Sequence, residues 1–392
     1  LVDRRLGITK SADIAGHRLA LPMVEIDSVG SGAGSVVSVD EYKRLHVGPD
    51  SAGAKVGICH EFDRLTVTDI NVALGYVDPD YFLGGQVKLS RERALAALEE
   101  CVAKPLDLDV YQAGAGVLDI VNSEMGDLLR TMVASKGYDT RDFTMLYYGG
   151  AGPVHMWGYA EGIDFADVIT MPWAAGFSAF GAACAEYMHR YDRGSRMLLP
   201  NGMSDQARTE AAREIDGIWR ELEDEAREEM AREEVDTSKV TFRYGVSARY
   251  IGQLESFETR LDFGAVEGPE DIDRIIGAFE TMYRKLYPEG ARFPDAGYSL
   301  TAIHLEAIAP KLQPALRELP LEGAKPKDSA YVETREVYHR GAFTPFRVYE
   351  MQELRAGNTV EGPAIIRDPM TTVVVPPGKR MEFDAYRILH YR

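Results

Sequence analysis

Two glycine-rich stretches, one aspartate and two histidine neighbourhoods carry the residue types that could do chemistry in this chain. LYYGGAGPVHM, residues 146–156, runs from an apolar β-type segment through Gly149, Gly150 and Gly152 into a segment of helical character. Glycine allows positive φ and lets backbone lie close to a ligand. A helix start behind it offers free N–H groups and a partial positive charge to a phosphate or a polarised oxygen. The same stretch also reads as a tight structural turn. SVGSGAGSVVSVD, residues 28–40, alternates Gly30, Gly32 and Gly34 with small residues before a β-type run, and its plain reading is a glycine-rich hairpin. Neither stretch is a P-loop, which needs GK[ST], nor GxGxxG. Two such stretches in one α/β region favour a nucleotide cleft over two unrelated turns.

Asp69, in TVTDIN, places a carboxylate in a polar turn. It either holds Mg²⁺ through water or positions a reacting group, or it caps the helix-like NVALGY segment as an Asx turn. His155 follows the glycine loop and either contacts a ligand or marks the helix start. Cys59–His60 has the composition of a nucleophile or ligand pair. Neighbours in an extended strand face opposite sides, so one core and one surface position is the simpler reading.

These residues need elements to hold them. Residues 1–80 read as short strands and glycine-rich turns. Ser90 is an N-cap for SRERALAALEECV. Val117, Ile120, Val121, Met125, Leu128, Leu129 and Met132 recur at helical spacing, predicting a helix over 112–136. DFTMLYY (142–148) and VIT (168–170) read as strands, and 153–162 and 177–189 as helices, an alternation that argues for an α/β layer structure. From Ser204 to Val235 a charged segment carries apolar residues every three or four positions. This predicts one amphipathic helix of about 45–50 Å with a solvated charged face. Alternation over 240–250 and 257–263 predicts an antiparallel pair. Residues 270–286 form a further amphipathic helix. The chain turns β-rich from about 329, and the prolines bounding GPAIIRDPMTTVVVPPG (362–378) suggest edge strands. Three domains are expected: an α/β lobe over 1–200, a long helix with antiparallel strands and a helix over 201–325, and a β-rich domain over 326–392.

Composition removes several function classes. The net charge of −18 argues against nucleic acid or an anionic membrane as partner. No apolar run approaches the roughly 18–20 residues of a membrane span, and LVDRRLGITK lacks the features of a secretory signal. Three widely spaced cysteines without a CxxC fit a reduced, cytoplasmic setting rather than a disulfide framework. The eight histidines show no HExxH-type ligand spacing.

Taken in order, IDSVGSGAGSVVSVD, VGPDSAGA, TVTDINVALGYVDPDYFLGG, TRDFTMLYYGGAGPVH, RYIGQ (249–253) and GPAIIRDPMTTVVVPPG resemble the hydantoinase A family. That family includes ATP-dependent hydantoinases, 5-oxoprolinase and the large subunits of acetone and acetophenone carboxylases. The resemblance covers nearly the whole chain. It implies an α/β, actin- and sugar-kinase-like ATPase lobe followed by an α+β and a β-rich C-terminal region. It further implies ATP and Mg²⁺ as cofactors. Gly149, Gly150 and Gly152 would form the adenosine-side loop, with Gly30, Gly32, Gly34 and His155 in the same cleft and Asp69 as the catalytic or metal-binding carboxylate.

The activity implied is phosphoryl activation of a carbonyl, as in a biotin-independent ketone carboxylase, to which the stretch GGAGPVHMWGYAEG with its Trp157 is similar. The alternatives are amide-ring hydrolysis of the hydantoinase or oxoprolinase type, or a structural subunit that kept the fold and lost the chemistry. The implied partners are a hydantoinase B-type subunit, a small zinc-type subunit, and an N-terminal lobe carrying the DxGGT phosphate loop, in cis or in trans. LVDRRLGIT is expected as the strand leaving a second phosphate loop. One departure stands out: AKVGICHEFDRLTVTD occupies the place of a Pro/Gly-rich PGPACYGRGG-like run, keeping Cys59 but not its surroundings.

Overall fold

The computed structural model describes residues 8–9, 12–14, 17–19, 23–311 and 313–392; LVDRRLG, residues 1–7 of the expected first strand, lies outside them. After a short hairpin, β1 (Ser35–Val39) and β2 (Leu45–Ser51), comes helix α1 (Val67–Leu74). Helices α2 (Arg91–Leu98) and α3 (Val110–Ala134) follow. Next are β3 (Thr144–Leu146), α4 (Gly152–Tyr159), β4 (Asp167–Thr170) and α5 (Phe177–Cys184). The middle of the chain holds β5 (Tyr187–Leu199), α6 (Asp205–Arg232), β6 (Thr241–Tyr250), β7 (Phe257–Leu261), α7 (Pro269–Leu286) and β8 (Tyr298–Ala309). The C-terminal part is all strand: β9 (Tyr331–His339), β10 (Ala342–Glu350), β11 (Thr359–Glu361), β12 (Ala364–Asp368), β13 (Thr371–Val375), β14 (Arg380–Phe383) and β15 (Leu389–Tyr391).

By contact the chain divides into two compact units, one of residues 1–26, 135–137 and 183–314, the other of 27–134, 138–182 and 315–392. These boundaries differ from the three consecutive stretches expected from sequence. The reason is strand pairing. In the second unit β3 and β4 run parallel, with Thr144 opposite Asp167, and α4 is their crossover. The sheet is then continued by the chain end: β15 pairs antiparallel with β4, Leu389 opposite Thr170, followed by β14 and β11. A β-rich tail that looks separate in sequence thus completes the sheet carrying the glycine loop. A second sheet of order β9-β10-β12-β13 belongs to the same unit, and α1, α3 and α4 share its apolar core through Ile70, Leu74, Val117, Val121, Met156 and Trp157.

The first unit is an antiparallel sheet of order β7-β6-β8-β5 with α6 and α7 on one face. The predicted long helix is 28 residues, about 42 Å at 1.5 Å per residue. It is opened by Ser204, whose hydroxyl accepts from the Ala207 N–H at 3.2 Å. The β6–β7 pair forms as predicted, with Val246 opposite Thr259. Two strands differ from expectation. The predicted helix over 177–189 stops at Cys184, and β5 begins at Tyr187. YSLTAIHLEAIA forms the interior strand β8, an apolar run paired antiparallel with β6 on one side and the edge strand β5 on the other.

Candidate functional site

The strand–loop–helix passage at 146–156 is pinned from several sides. The Tyr147 N–H donates to the Ile169 carbonyl at 2.9 Å, and the Gly149 N–H to that of Ala174 at 2.8 Å. The Thr371 hydroxyl lies 3.0 Å from the Gly150 carbonyl and 3.3 Å from that of Gly149. Only one of the three glycines needs left-handed backbone: Gly149 has φ of +85°. Gly152 has a different reason. It is the first residue of α4 and precedes Pro153, where a Cβ in helical backbone meets the proline ring. At Gly149 and Gly152 no atom lies within 4 Å of the position a Cβ would take, so this face of the loop is open to a ligand.

Gly150 and Ala151 form one wall of a cavity of about 290 Å³. Ala33, between Gly32 and Gly34 of the other glycine-rich stretch, lines it too. Both the Thr68 N–H and its hydroxyl donate to the Ala33 carbonyl, at 2.8 and 2.9 Å, fastening that stretch to the start of α1. The opposite side is the turn Asp368–Thr371 between β12 and β13. Of the six glycines expected in one cleft, Gly150 is among the lining residues, and the other glycine-rich stretch reaches the cavity through Ala33 rather than through Gly30, Gly32 or Gly34. Gly30, at φ of +73°, and Gly34, whose Cβ position lies 2.8 Å from the Ser51 hydroxyl, shape the turn behind it.

Asp69 is fully buried. Its Oδ2 accepts from the N–H groups of Thr66 at 2.7 Å and Ile58 at 3.1 Å and from the Thr66 hydroxyl at 2.9 Å. Its Oδ1 accepts from the Cys59 N–H at 2.7 Å. With Thr66 it forms the capping box of α1. A magnesium ion at this carboxylate would have to displace three backbone donors. The geometry is that of the helix cap, not of a metal ligand or a group facing substrate, and we correct the expected catalytic and metal role accordingly. Cys59 lies beneath the same knot. Burial, and then the Asp69 carboxylate beside it, push its thiol well above the ordinary range, so it is no nucleophile at neutral pH.

His155 is also buried, with 2% of its surface exposed, and burial lowers its pKa to about 4. It stacks on Tyr159 at 5.7 Å. Its Nε2 lies 3.1 Å from Asn71 Nδ2, which also donates to the Val67 carbonyl at 3.0 Å. His155 thus stands behind the cavity and orients Asn71, which lines it.

The residues that sequence reasoning did not single out form the rest of the wall. Arg335 and Arg367 line the cavity, but both are paired. Arg335 reaches Asp78 at 2.6 Å; Arg367 reaches Glu350 at 3.1 Å and lies 3.9 Å over the Tyr81 ring. Burial raises the pKa of Asp368, opposed by the Met370 N–H on its Oδ1 at 3.0 Å. Leu83, also in the wall, adopts left-handed backbone at φ 51°, ψ 43°, a strained conformation of the kind found at ligand sites. For Leu83, Arg367 and Asp368 the signal was present in the motifs TVTDINVALGYVDPDYFLGG and IIRDPMTT, but nothing in their spacing says that the two meet; Arg335 lies in neither. In the other unit, His189, Glu229 and Glu233 bring ligand-type atoms within 4.8 Å of one another, a juxtaposition of β5 and the end of α6 that histidine spacing along the sequence does not announce.

Comparison with known proteins agrees with this architecture. The hydantoinase/oxoprolinase family model matches residues 1–191, and the model for the hydantoinase/oxoprolinase C-terminal domain matches residues 202–392. The acetone carboxylase beta subunit of Xanthobacter autotrophicus is 40% identical over 100% of this chain and 55% of its own length. Among solved structures, nucleotide-free acetone carboxylase superposes with a TM-score of 0.79 at 39% identity, over 99% of this chain and 55% of the other. The ATP-dependent caprolactamase of Pseudomonas jessenii superposes with a TM-score of 0.85 at 25% identity, over 98% and 55%. The chain spans about half the length of the relatives it matches. No helix among the described residues is long and apolar enough to cross a membrane.

Proposed function

This chain belongs to the hydantoinase/oxoprolinase family, and we propose that it supplies the adenosine-side half of the nucleotide cleft of an ATP-dependent, biotin-independent ketone carboxylase. The observation that carries this reading is the meeting of Gly150–Ala151, Ala33 and the 368–371 turn at one cavity beside an open glycine loop. Backbone at Gly149–Gly152 fits a nucleotide because no side chain occupies the loop face and the N-terminus of α4 follows it. ATP, when bound, supplies a phosphoryl group that turns a carbonyl oxygen into a better leaving or trapping group. This chain's residues bind and orient. The loop is held rigid by Thr371 and Ala174, and the neutral His155 fixes Asn71. Positioning of this kind is the main protein contribution to phosphoryl transfer.

The similarity to an acetone carboxylase beta subunit supports carboxylation. The superposition on a caprolactamase favours a second reading, hydrolysis of an activated ring amide. Both readings need further chain: the phosphate-gripping lobe, a B-type subunit and, for a carboxylase, a small zinc-type subunit. Magnesium would be held with the triphosphate, because Asp69 is committed to the cap of α1, and three unpaired cysteines fit a cytoplasmic complex. The test is calorimetry of ATP with magnesium on this chain alone and with those partners, followed by turnover with acetone plus bicarbonate and with ε-caprolactam. Magnesium-dependent binding and turnover that appear on adding the partners are expected. Assembly without any nucleotide binding would make this a structural subunit and overturn the proposal.

A further inference from the structure

We propose that His189, near the start of β5, and Glu229 and Glu233, at the end of α6, form a site for a divalent metal ion of the zinc type. Ligand-type atoms of the three residues lie within 4.8 Å of one another, and His189 Nε2 is 2.8 Å from a Glu233 oxygen. The two glutamates are one helical turn apart and so share a face of α6; the imidazole comes to them from the strand. Ligands about 2.0–2.2 Å from one ion stand about 3–3.5 Å from each other in tetrahedral geometry. The group therefore closes on an ion by a small side-chain movement, which the Glu233 side chain, 42% exposed, is free to make.

The charge pattern of α6 points to the same cation. Elsewhere on this helix an acid is followed four residues later by an arginine: Asp216 pairs with Arg220 at 2.6 Å and Glu223 with Arg227 at 2.9 Å. On the side facing β5 the pattern breaks. Glu225, Glu229 and Glu233 succeed one another at four-residue spacing, and like charges so placed destabilise a helix. Glu229 is in the last turn and Glu233 is the C-cap residue, where the helix dipole is negative as well. Alternate residues of β5 meet these acids. Arg193 reaches Glu225 at 3.5 Å, but Glu229 is met by the Tyr191 hydroxyl, which donates to it, and Glu233 by His189. Among the described residues no lysine or arginine pairs with Glu229 or Glu233, and a divalent ion balances the two carboxylates charge for charge. Tyr191 also braces the site. Burial, and then the Glu229 carboxylate, raise its pKa and keep it a donor, and its ring stacks on that of His189 at 6.4 Å. Groups that hold a metal's ligands from behind in this way are a regular part of metal sites.

One imidazole nitrogen and two carboxylate oxygens without a thiolate suit zinc, with manganese bound more weakly by the same set. Magnesium and calcium prefer oxygen throughout. The ion would fasten the start of β5 to the end of α6, with water in its remaining position. None of the three residues lines the cavity beside the glycine loop, so the site stands or falls apart from the nucleotide reading.

The experiment is calorimetric titration of the chelator-stripped 392-residue chain with zinc chloride, and separately with manganese and magnesium. One zinc per chain is expected with a Kd of about 10 µM or tighter, manganese at least about tenfold weaker and magnesium silent. His189→Gln and Glu229→Gln should each weaken zinc by at least about tenfold, whereas Glu225→Gln, one turn earlier, should stay within about twofold. Zinc should raise the melting midpoint of the wild type and of Glu225→Gln but not of His189→Gln. Cobalt binding to the wild type, followed by its visible absorption, needs no variant; the bands should vanish on addition of one equivalent of zinc. No zinc binding tighter than about 100 µM, zinc affinity retained by both folded His189→Gln and Glu229→Gln, or magnesium bound as tightly as zinc overturns the inference.

Discussion

Replacing Asp69 separates a structural carboxylate from a catalytic one. In Asp69→Ala, the N–H groups of Ile58, Cys59 and Thr66 and the Thr66 hydroxyl all lose their acceptor at once. Loss of an N-terminal cap alone costs about 1 kcal/mol, and each hydrogen bond to a charged group contributes about 1.5–3 kcal/mol net. Water reaches part of the Gly57–Cys59 turn once the carboxylate is gone, so the terms do not add fully. A total of about 3–5 kcal/mol follows. For a unit of about 150–250 residues, 1 kcal/mol shifts the midpoint by about 2–4 °C, giving a fall of roughly 6–20 °C for Asp69→Ala. Asp69→Asn turns an NH₂ toward these donors and should fall by about half as much or more. The assay is differential scanning calorimetry alongside nucleotide titration of the assembled complex below the new midpoint, where affinity and turnover should stay within about twofold. Gly57→Ala is the companion variant: its Cβ would sit 2.3 Å from Asp69 Oδ2, straining the same knot from the other side. An Asp69→Asn protein with an unchanged midpoint but collapsed turnover would refute the argument and return Asp69 to the chemistry.

Three further outcomes are expected. His155 has a folded pKa of about 4 against an ordinary 6.5, so the unfolded chain binds the extra proton between those values and stability falls as pH drops from 6.5 toward 4. The loss reaches roughly 3 kcal/mol at 1.36 kcal/mol per pKa unit, with His339, also lowered to about 4 by burial, adding to it. Urea unfolding of wild type and His155→Gln at pH 7.5 and 4.5 should show a smaller difference in the variant; equal slopes would mean that His155 is not buried in its neutral form. Gly150→Val should leave the melting midpoint within about 2 °C, because its Cβ position meets only the Met370 carbonyl at 3.4 Å and its φ is not left-handed. It should nonetheless remove nucleotide binding, and a folded variant with normal affinity would take the loop out of the site. Cys59 should resist iodoacetamide in the native chain by about two orders of magnitude relative to the unfolded chain, since labelling waits for opening; rapid native labelling would show an accessible thiol.

The sequence by itself was sufficient for most local elements and for the family, though not for the strands β5 and β8. Period located α3, α6 and α7 because a helix buries a stripe that recurs every 3.6 residues, and that stripe is written in order along the chain; the Ser90 cap marked the start of α2. The glycine loop was legible for the same kind of reason: a strand, a left-handed turn at Gly149 and a helix start are all local events. What chemistry Asp69 performs was not legible, since a capping carboxylate and a metal-binding one have the same neighbours in sequence. The three backbone donors that decide between them come partly from Gly57–Cys59, ten residues away through a turn. The cavity was further out of reach. It exists because β15 pairs with β4 and β13 lies against α4, bringing Asp368–Thr371 to a loop more than two hundred residues earlier. Asn71 and His155, 84 residues apart, meet side chain to side chain only in the packed interior. Hydrogen-bond satisfaction is a property of the packed interior, where each donor and acceptor must find its match in space, and no reading along one dimension can count it.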